Sequence, residues 1–359
     1  MLKSIHFFLF FVAAGTFFAQ QNSLEVNPLG GSLFNHSPSF KAIITEPSFG
    51  LRVNYLNRPR KAGTFFEKFN YPSIGIATHI VRYGDNEIFG SSFGFNSTIS
   101  FYLKEREKYN IQTTLGLGAG YLTTKFDQAT NPMNTAIGSN FNFSASLQFS
   151  SELFLTQKLA VKPALGVLHY SNAHLLLPNL GTNYLFGSVG LVTYFNRKYQ
   201  KDSFINNQTD PVQFKNEIIV SPGLSDRGRY IENRVLPTYA FLYNRLFWTS
   251  RHHTLKAGIS GEYKNYDYDY KTFTFEENAD LALTFGNEIY FGRASFHALL
   301  GVYLYSYLSA EKKKHAYQRW GMSYNFPMKS KKIGLSAGAT LKVHYGAAEL
   351  LEGRFAILF

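Results

Sequence analysis

Stretches of about ten residues in which apolar and polar side chains alternate recur along most of this chain. TISFYL, GLGAGYL, FNFSASLQFSSELFL, LFGSVGLVTYF, YAFLYNRLFW, HALLGVYLYSYL and IGLSAGATLKVHYG all read this way, with polar turns between them. A period of two sends successive side chains to opposite faces of a β-strand. Beyond the first residues no apolar run approaches the ~18 needed for a membrane helix. Aromatic residues make up 17% of the chain, led by 35 Phe and 24 Tyr, whereas only 17% are charged. Strands of this length, rich in Gly and girdled by Tyr and Phe, are what a transmembrane β-barrel is made from. A secreted soluble sandwich is the rival class. It gives no reason for a closing strand with Leu351, Gly353, Phe355, Ile357 and Phe359 on one face.

Residues 1–19 carry Lys3, the apolar run Ile5 to Ala14, and Ala19 before a polar Gln20, the layout of an export signal. The absence of Cys leaves no lipid anchor and no disulfide to consider. The expected address is therefore the outer membrane. The final strand ending on Phe359 resembles the signal by which the barrel-assembly machinery takes up its clients. The net charge of +12 calls for acidic neighbours. Nucleic acid is implausible for an exported barrel, and the anionic head groups of lipopolysaccharide fit better. The runs Lys312–Lys313–Lys314 and Lys329–Lys331–Lys332 read most simply as solvated turns.

Taking the short turns near Lys104 to Lys108 and Thr156 to Lys158 as periplasmic gives an up-and-down order. The first set of strands falls near 38–47, 48–57, 72–83, 89–103, 109–124, 139–155, 159–172 and 183–196. After a polar connector at 196–210, a second set falls near 212–222, 234–248, 253–265, 279–290, 293–307, 315–326, 331–345 and 348–359. The sequence thus predicts an all-β, antiparallel outer-membrane barrel over residues 20–359, of about fourteen to sixteen strands. It has halves at 38–196 and 212–359, and the short connector favours one wide barrel over two small ones. The halves echo each other: FKAIITEPS at Phe40 with FKNEIIVSP at Phe214, GLGAGYL with ALLGVYLY, and LHYSNAHLL at 168–176 with VHYGAAELL at 343–351. An internal duplication accounts for such offsets.

Residues 159–183, LAVKPALGVLHYSNAHLLLPNLGTN, carry the candidate chemistry. At strand period Leu159, Val161, Pro163, Leu165 and Val167 share one face, which continues into His169 and Ser171. An imidazole and a hydroxyl two residues apart on one strand are the minimum equipment of a serine nucleophile and its base. In a soluble protein that greasy face would be core, and His169 most simply a satisfied buried histidine. In a barrel it looks out at lipid, where polar groups are costly and call for a reason. A substrate that is itself a membrane lipid supplies one. In the second half His344 falls on the inward face with Lys342 and Thr340, and Gly346 stands where a serine would be needed, so it reads as structural. His79, His252, His253, His297 and His315 have no partners at ligand spacing, and neither a metal nor a cofactor is expected. Lys162 points inward, where it is expected only to wet the lumen.

HYSNAHLLLPNLGTN at 169–183 resembles the H-x-S-N…P-N-x-G-x-E signature of the lipid A 3-O-deacylases (the PagL family) and their acyloxyacyl-hydrolase-like relatives. The resemblance covers about residues 38–196, including NTAIGSNFNF at 134–143, and the second half looks like that of extended members. It implies an outer-membrane esterase acting on lipid A. Ser171 would be the nucleophile, His169 its base and later acid, and Asn172 an oxyanion-hole donor. Asn142 and Asn179 would support the site. The chain departs from the signature at the third triad position, where the glutamate is replaced by Asn183. An amide can accept the imidazole N–H but cannot stabilise an imidazolium by charge. Glu152 and Glu349 are the carboxylates considered as substitutes. Rival readings are a structural or pore-forming barrel with impaired catalysis, and a surface-binding protein using the loops 123–138 and 266–278.

Overall fold

The structure, a computed structural model, describes residues 21–35, 39–59, 65–195, 213–226, 235–264, 267–268, 271–272, 274–307, 315–328, 332–344 and 347–359. The expected export segment 1–19, the connector 196–210, Lys312–Lys314, Lys329, Lys331 and Gly346 lie outside the described residues.

Two compact units make up the chain, and two sheets of eight strands each close on themselves. The first barrel runs β1 Gln21–Leu33, β2 Ser48–Arg58, β3 Ser73–Arg82, β4 Ser91–Glu105, β5 Tyr109–Leu122, β6 Phe141–Phe154, β7 Leu159–Ser171 and β8 Thr182–Tyr194. It closes where β1 pairs with β8, from Ser23↔Tyr194 to Leu33↔Tyr184. The second begins with β9 Asn216–Asp226, β10 Val235–Ser250 and β11 His253–Lys264. A two-residue ribbon follows, β12 Asp267–Tyr268 with β13 Lys271–Thr272. The barrel then continues through β14 Ala279–Phe291, β15 Ala294–Ser306, β16 Ala316–Asn325, β17 Gly334–His344 and β18 Ala347–Leu358. Here β18 returns to β9, from Leu351↔Leu224 to Leu358↔Glu217.

The single wide barrel expected from the sequence is therefore replaced by two narrow ones. Alternation marks each strand but not the partner on which a sheet closes. Eight strands enclose an interior just wide enough to be filled by side chains.

The first strand also differs from expectation. Where a strand is expected at 38–47, the described residues 39–47 form none; Phe40 and Ala42 are buried, and Phe40 stacks on Phe89 at 5.8 Å. Asp85 takes the Thr45 N–H at 3.1 Å and its hydroxyl at 2.7 Å. The true first strand, QNSLEVNPLGGSL, contains Pro28 and two glycines, which read as a turn. Pro28 is tolerated because it faces outward and sits at a gap in the β8 ladder, between Val26↔Leu191 and Leu29↔Ser188. Gly31 is required by a close approach, since a Cβ there would lie 2.0 Å from the Leu185 carbonyl oxygen.

Both barrels are polar inside and apolar outside. In the first, Lys162 is fully buried; it bonds Glu25 and lies 3.7 Å from Glu152, which also accepts from Tyr194 at 2.6 Å and Gln112 at 2.8 Å. Lys162 is thus a buried ion-pair partner rather than a lumen-wetting cation. In the second, Glu262 is held by Lys342 at 2.8 Å, Lys264 at 3.5 Å and Arg319. Glu217 there is held by Lys256 at 2.6 Å and Arg354 at 2.7 Å. Outside, Phe49, Ile80, Phe149, Leu165 and Leu191 are exposed on the first barrel, and Phe241, Phe285, Trp320 and Phe355 on the second. Apolar surface this continuous needs a hydrocarbon solvent, while the closed ladders leave no strand edge unpaired within it.

Two of the three sequence echoes occupy matching places. GLGAGYL lies in the fifth strand of its barrel and ALLGVYLY in the fifth of the other; Leu168–His169 and Val343–His344 both lie in the seventh strands, near the end of one and at the end of the other. FKAIITEPS and FKNEIIVSP do not correspond, because the first lies outside any strand up to Pro47 and the second leads into β9.

Candidate active site

Burial alternates without a break along β7. Ala160, Lys162, Ala164, Leu168 and Tyr170 are buried, whereas Leu165 is 68% exposed and Val167, His169 and Ser171 are half-buried. His169 and Ser171 therefore project from the outer wall of the first barrel, at the end of β7 away from the Thr156–Lys158 turn. The inward Tyr170 between them bonds His79 Nε2 at 2.7 Å. Gly94 makes room for that pair, since a Cβ there would stand 2.7 Å from the Tyr170 hydroxyl.

The β7–β8 ladder sets His169 opposite Asn183, and His169 Nδ1 lies 2.7 Å from Asn183 Oδ1. An amide oxygen only accepts, so Nδ1 carries the proton and Nε2 keeps its lone pair. That is the tautomer a general base requires. The amide at the glutamate position thus keeps the orienting hydrogen bond and lacks the charge. Neither proposed substitute carboxylate joins it. Glu152 is committed to Lys162, Gln112 and Tyr194 inside the first barrel, and Glu349 lies 2.9 Å from His344 Nδ1 in the second.

Ser171 Oγ faces the Asn179 amide. Asn179 Nδ2 donates to it at 2.9 Å, and it lies 3.2 Å from Asn179 Oδ1. The Ala173 N–H donates to it as well, at 3.1 Å. Ala173 and His174 hold left-handed φ values of 55° and 69°, a conformation that costs non-glycine residues energy and that clusters at functional sites. Asn172 is buried, and its amide nitrogen donates to Ser139 Oγ at 3.0 Å and to the Leu176 carbonyl at 2.6 Å. Asn142 is inward-facing on β6 and donates to the Asn140 carbonyl at 3.0 Å, which secures the end of the loop before it. Ser139 was not singled out as a site residue from the sequence. It lies within NTAIGSNFNF, and no local pattern marks a serine that will brace a loop more than thirty residues away.

On the outward face below His169, the ladders place Leu165 opposite Gly187, Gly187 opposite Gly30, and Gly30 opposite Phe49. The two glycines leave a trough in the wall, bordered also by Phe149 and Val189. Two further histidines serve local bonds: His297 Nε2 to Thr340 at 3.0 Å, His253 Nδ1 to Thr249 at 2.6 Å. Among the described residues no group of three or more His, Asp or Glu is placed to hold a metal ion.

Residues 94–192 match the family model described as lipid A 3-O-deacylase (PagL). Residues 217–359 match the one described as acyloxyacyl hydrolase, C-terminal domain. No curated protein matches the chain. Among solved structures, the Pseudomonas putida toluene transporter TodX is 8% identical over 94% of this chain and 88% of its own, with a TM-score of 0.18. The Acinetobacter baumannii outer membrane protein Omp33 is 8% identical over 94% of this chain and 99% of its own, with a TM-score of 0.17. Superpositions that poor add nothing to the fold, which rests on the ladders. The two family matches take in most of both barrels, and the chain belongs to the lipid A 3-O-deacylase (PagL) and acyloxyacyl hydrolase family of the outer membrane.

Proposed function

We propose that this chain is a serine esterase that releases an ester-linked acyl chain from lipid A, or a related glycolipid, at the lipid-facing surface of its first barrel. The observation that carries the reading is the outward pair His169 and Ser171, with the imidazole held in its base tautomer by Asn183. His169 Nε2 takes the proton as Ser171 Oγ bonds to the ester carbonyl carbon. The imidazolium returns that proton to the departing sugar oxygen, which leaves an acyl-enzyme. A water, deprotonated by the same nitrogen, then frees the fatty acid and restores the serine. Apo hydrogen bonds at such sites tighten only when substrate is bound, so the present Ser171–Asn179 bond is compatible with the scheme. The trough at Gly30 and Gly187 supports it further, as a place for the released chain on the same wall.

Purified protein in detergent should release fatty acid from lipopolysaccharide, read by mass spectrometry of the lipid A product. Ser171→Ala and His169→Ala should each lower the rate by ~10³ or more, as losses of a nucleophile or its base do. Wild-type protein no faster than either variant would sink the proposal. The pore reading is disfavoured by the ion pairs that fill both interiors; planar-bilayer recordings should show no steps. Entry through the barrel-assembly machinery by the strand that ends at Phe359 belongs to the same reading. Loss of membrane insertion on deleting that residue tests it.

A further inference from the structure

The geometry points to Tyr170, pinned by His79 inside the first barrel, as a positioning residue that sets the outward aim of His169 and Ser171; this rests on the serine-esterase reading above. Tyr170 stands between the two in the chain. Its inward anchorage therefore fixes the rotation of the strand that turns both of them out. The β8 ladder ends at Tyr170↔Thr182, and Ser171 is the first residue past that last pairing. Chain ends open most easily where pairing stops, so the aim of the nucleophile leans on what holds residue 170.

The interior is shaped for that hold. β3 lies four strands from β7 whichever way the closed sheet is counted, so His79 faces Tyr170 from the opposite wall. His79 pairs with Gly94 of β4, and Gly94 with Gly120 of β5, which sets the three in a row across the inner wall. The two missing side chains leave a notch. A Cβ at Gly94 would stand 2.0 Å from His79 Nε2, and one at Gly120 would stand 2.3 Å from the Tyr170 ring. That ring is fully buried, and its hydroxyl meets His79 Nε2 at 2.7 Å. A hydrogen bond alone would serve any fold. Two neighbouring glycines left bare for one tyrosine, flanked in the chain by the imidazole and the hydroxyl, make a strut across the lumen whose outer end carries the chemistry. A shift of about 1 Å at such a place is enough to lower a rate ~10²-fold.

Positioning separates from plain packing in four variants. Tyr170→Phe removes only the hydroxyl, His79→Leu removes its partner, and His79→Gln keeps a group that can bond it. Tyr102→Phe is the control, since its buried hydroxyl meets Ser73 Oγ at 2.8 Å toward the other end of the same interior. Fatty acid release from lipopolysaccharide is measured for each, with kcat and KM resolved and folding checked by circular dichroism and urea unfolding. A strut predicts kcat ~10–10²-fold lower in Tyr170→Phe and in His79→Leu, with KM within about twofold because the lipid-facing wall is unaltered. The double variant should be no slower than the slower single one, since both break the same bond. His79→Gln should stay within about threefold of wild type, and Tyr102→Phe should lose resistance to urea without losing kcat. Folded Tyr170→Phe and His79→Leu with wild-type kcat overturn the proposal. So does an equal kcat loss in Tyr102→Phe, or a loss carried by KM alone. If Tyr170→Phe does not fold, the two His79 variants decide: a slow Leu beside a fast Gln supports the strut, and equal rates overturn it. Wild-type protein that releases no fatty acid takes down the esterase reading as well, so the two failures are distinct.

Discussion

An apolar residue followed by histidine lies at or near the end of the seventh strand of each barrel, Leu168–His169 near the end of β7 and Val343–His344 at the end of β17, and the two imidazoles point opposite ways. His169 is half-buried on the outer wall, against the amide of Asn183. His344 is buried in the interior, bonded to the Tyr303 hydroxyl at 3.0 Å and 2.9 Å from Glu349. A shift of one residue in strand phase exchanges a whole face. The ladders show how each partner arises. Between β7 and β8 the register runs unbroken to His169↔Asn183. Between β17 and β18 it slips from Lys342↔Leu350 to Val343↔Ala348, which leaves Glu349 as an extra residue, a bulge. Its carboxylate turns to His344, Lys264 at 3.0 Å and Lys342 at 3.3 Å. An imidazole that meets lipid has an uncharged partner and room for a substrate; one that meets the lumen is absorbed into ion pairs.

The largest effect that could break this contrast is on stability in the second barrel. Glu262 faces Lys264, Arg319 and Lys342, so Glu262→Ala takes one carboxylate from three buried cations at once and leaves them only Asp280, Glu349 and Glu352. Removing one partner of a buried ionic cluster costs about 3–5 kcal/mol. Urea unfolding of protein refolded into vesicles should show that loss, while acyl release under non-denaturing conditions stays within twofold of wild type, a change of about 0.4 kcal/mol in barrier. A loss below about 1 kcal/mol, the scale of an exposed pair, would mean that the second interior is not held by its charges.

Much of this was legible beforehand, for a physical reason. Strand alternation is local, so β7 could be phased from its own residues, and the outward projection of His169 and the inward projection of His344 both follow from counting. Closure is not local. Ser23↔Tyr194 and Leu358↔Glu217 join residues far apart in the chain, and nothing within either strand announces its partner. Hence one barrel was expected where two stand. The strand 21–33 hid behind Pro28 and Gly30–Gly31, residues that signal a turn; here the β8 ladder leaves a gap at Pro28, while both glycines pair with strands on either side. Within the site the family signature supplied residue types, but it could not say how each amide would be spent. The signature gives Asn172 the donor's part and Asn179 a supporting one; in the structure Asn172 gives its amide hydrogens to Ser139 and Leu176, and Asn179 gives one to Ser171 Oγ.

A middle-sized effect separates the two histidines directly. His344→Ala leaves the Tyr303 hydroxyl without that partner and takes one group from Glu349, which keeps Lys264 and Lys342. The expected cost is about 1–3 kcal/mol of unfolding free energy, with acyl release unchanged. His169→Ala should do the reverse, abolishing release at less than about 1 kcal/mol of stability because its site is not core. Equal stability losses from the two would erase the distinction between a histidine for chemistry and one for packing.

The smallest predicted effect sharpens the first barrel's side of the comparison. Asn183 already fixes the imidazole tautomer through Oδ1 at 2.7 Å; what it lacks is charge. Asn183→Asp keeps the reach and adds that charge beside the imidazolium that forms when Ser171 is deprotonated. A gain of about tenfold in kcat, or ~1.4 kcal/mol, is expected. It is far below the ~10⁴ by which triads lose rate when the tautomer is wrong, because here the tautomer is already right. Asn183 is 8% exposed, so the new carboxylate loses hydration on folding, and urea unfolding should show the variant less stable than wild type. Asn183→Leu, which cannot accept from Nδ1, should instead lower kcat by ~10² or more. If Asp leaves kcat unchanged while Leu reduces it, orientation alone is what this position supplies. If both are silent, the outward imidazole is not the base, and the difference between the two barrels is one of packing only.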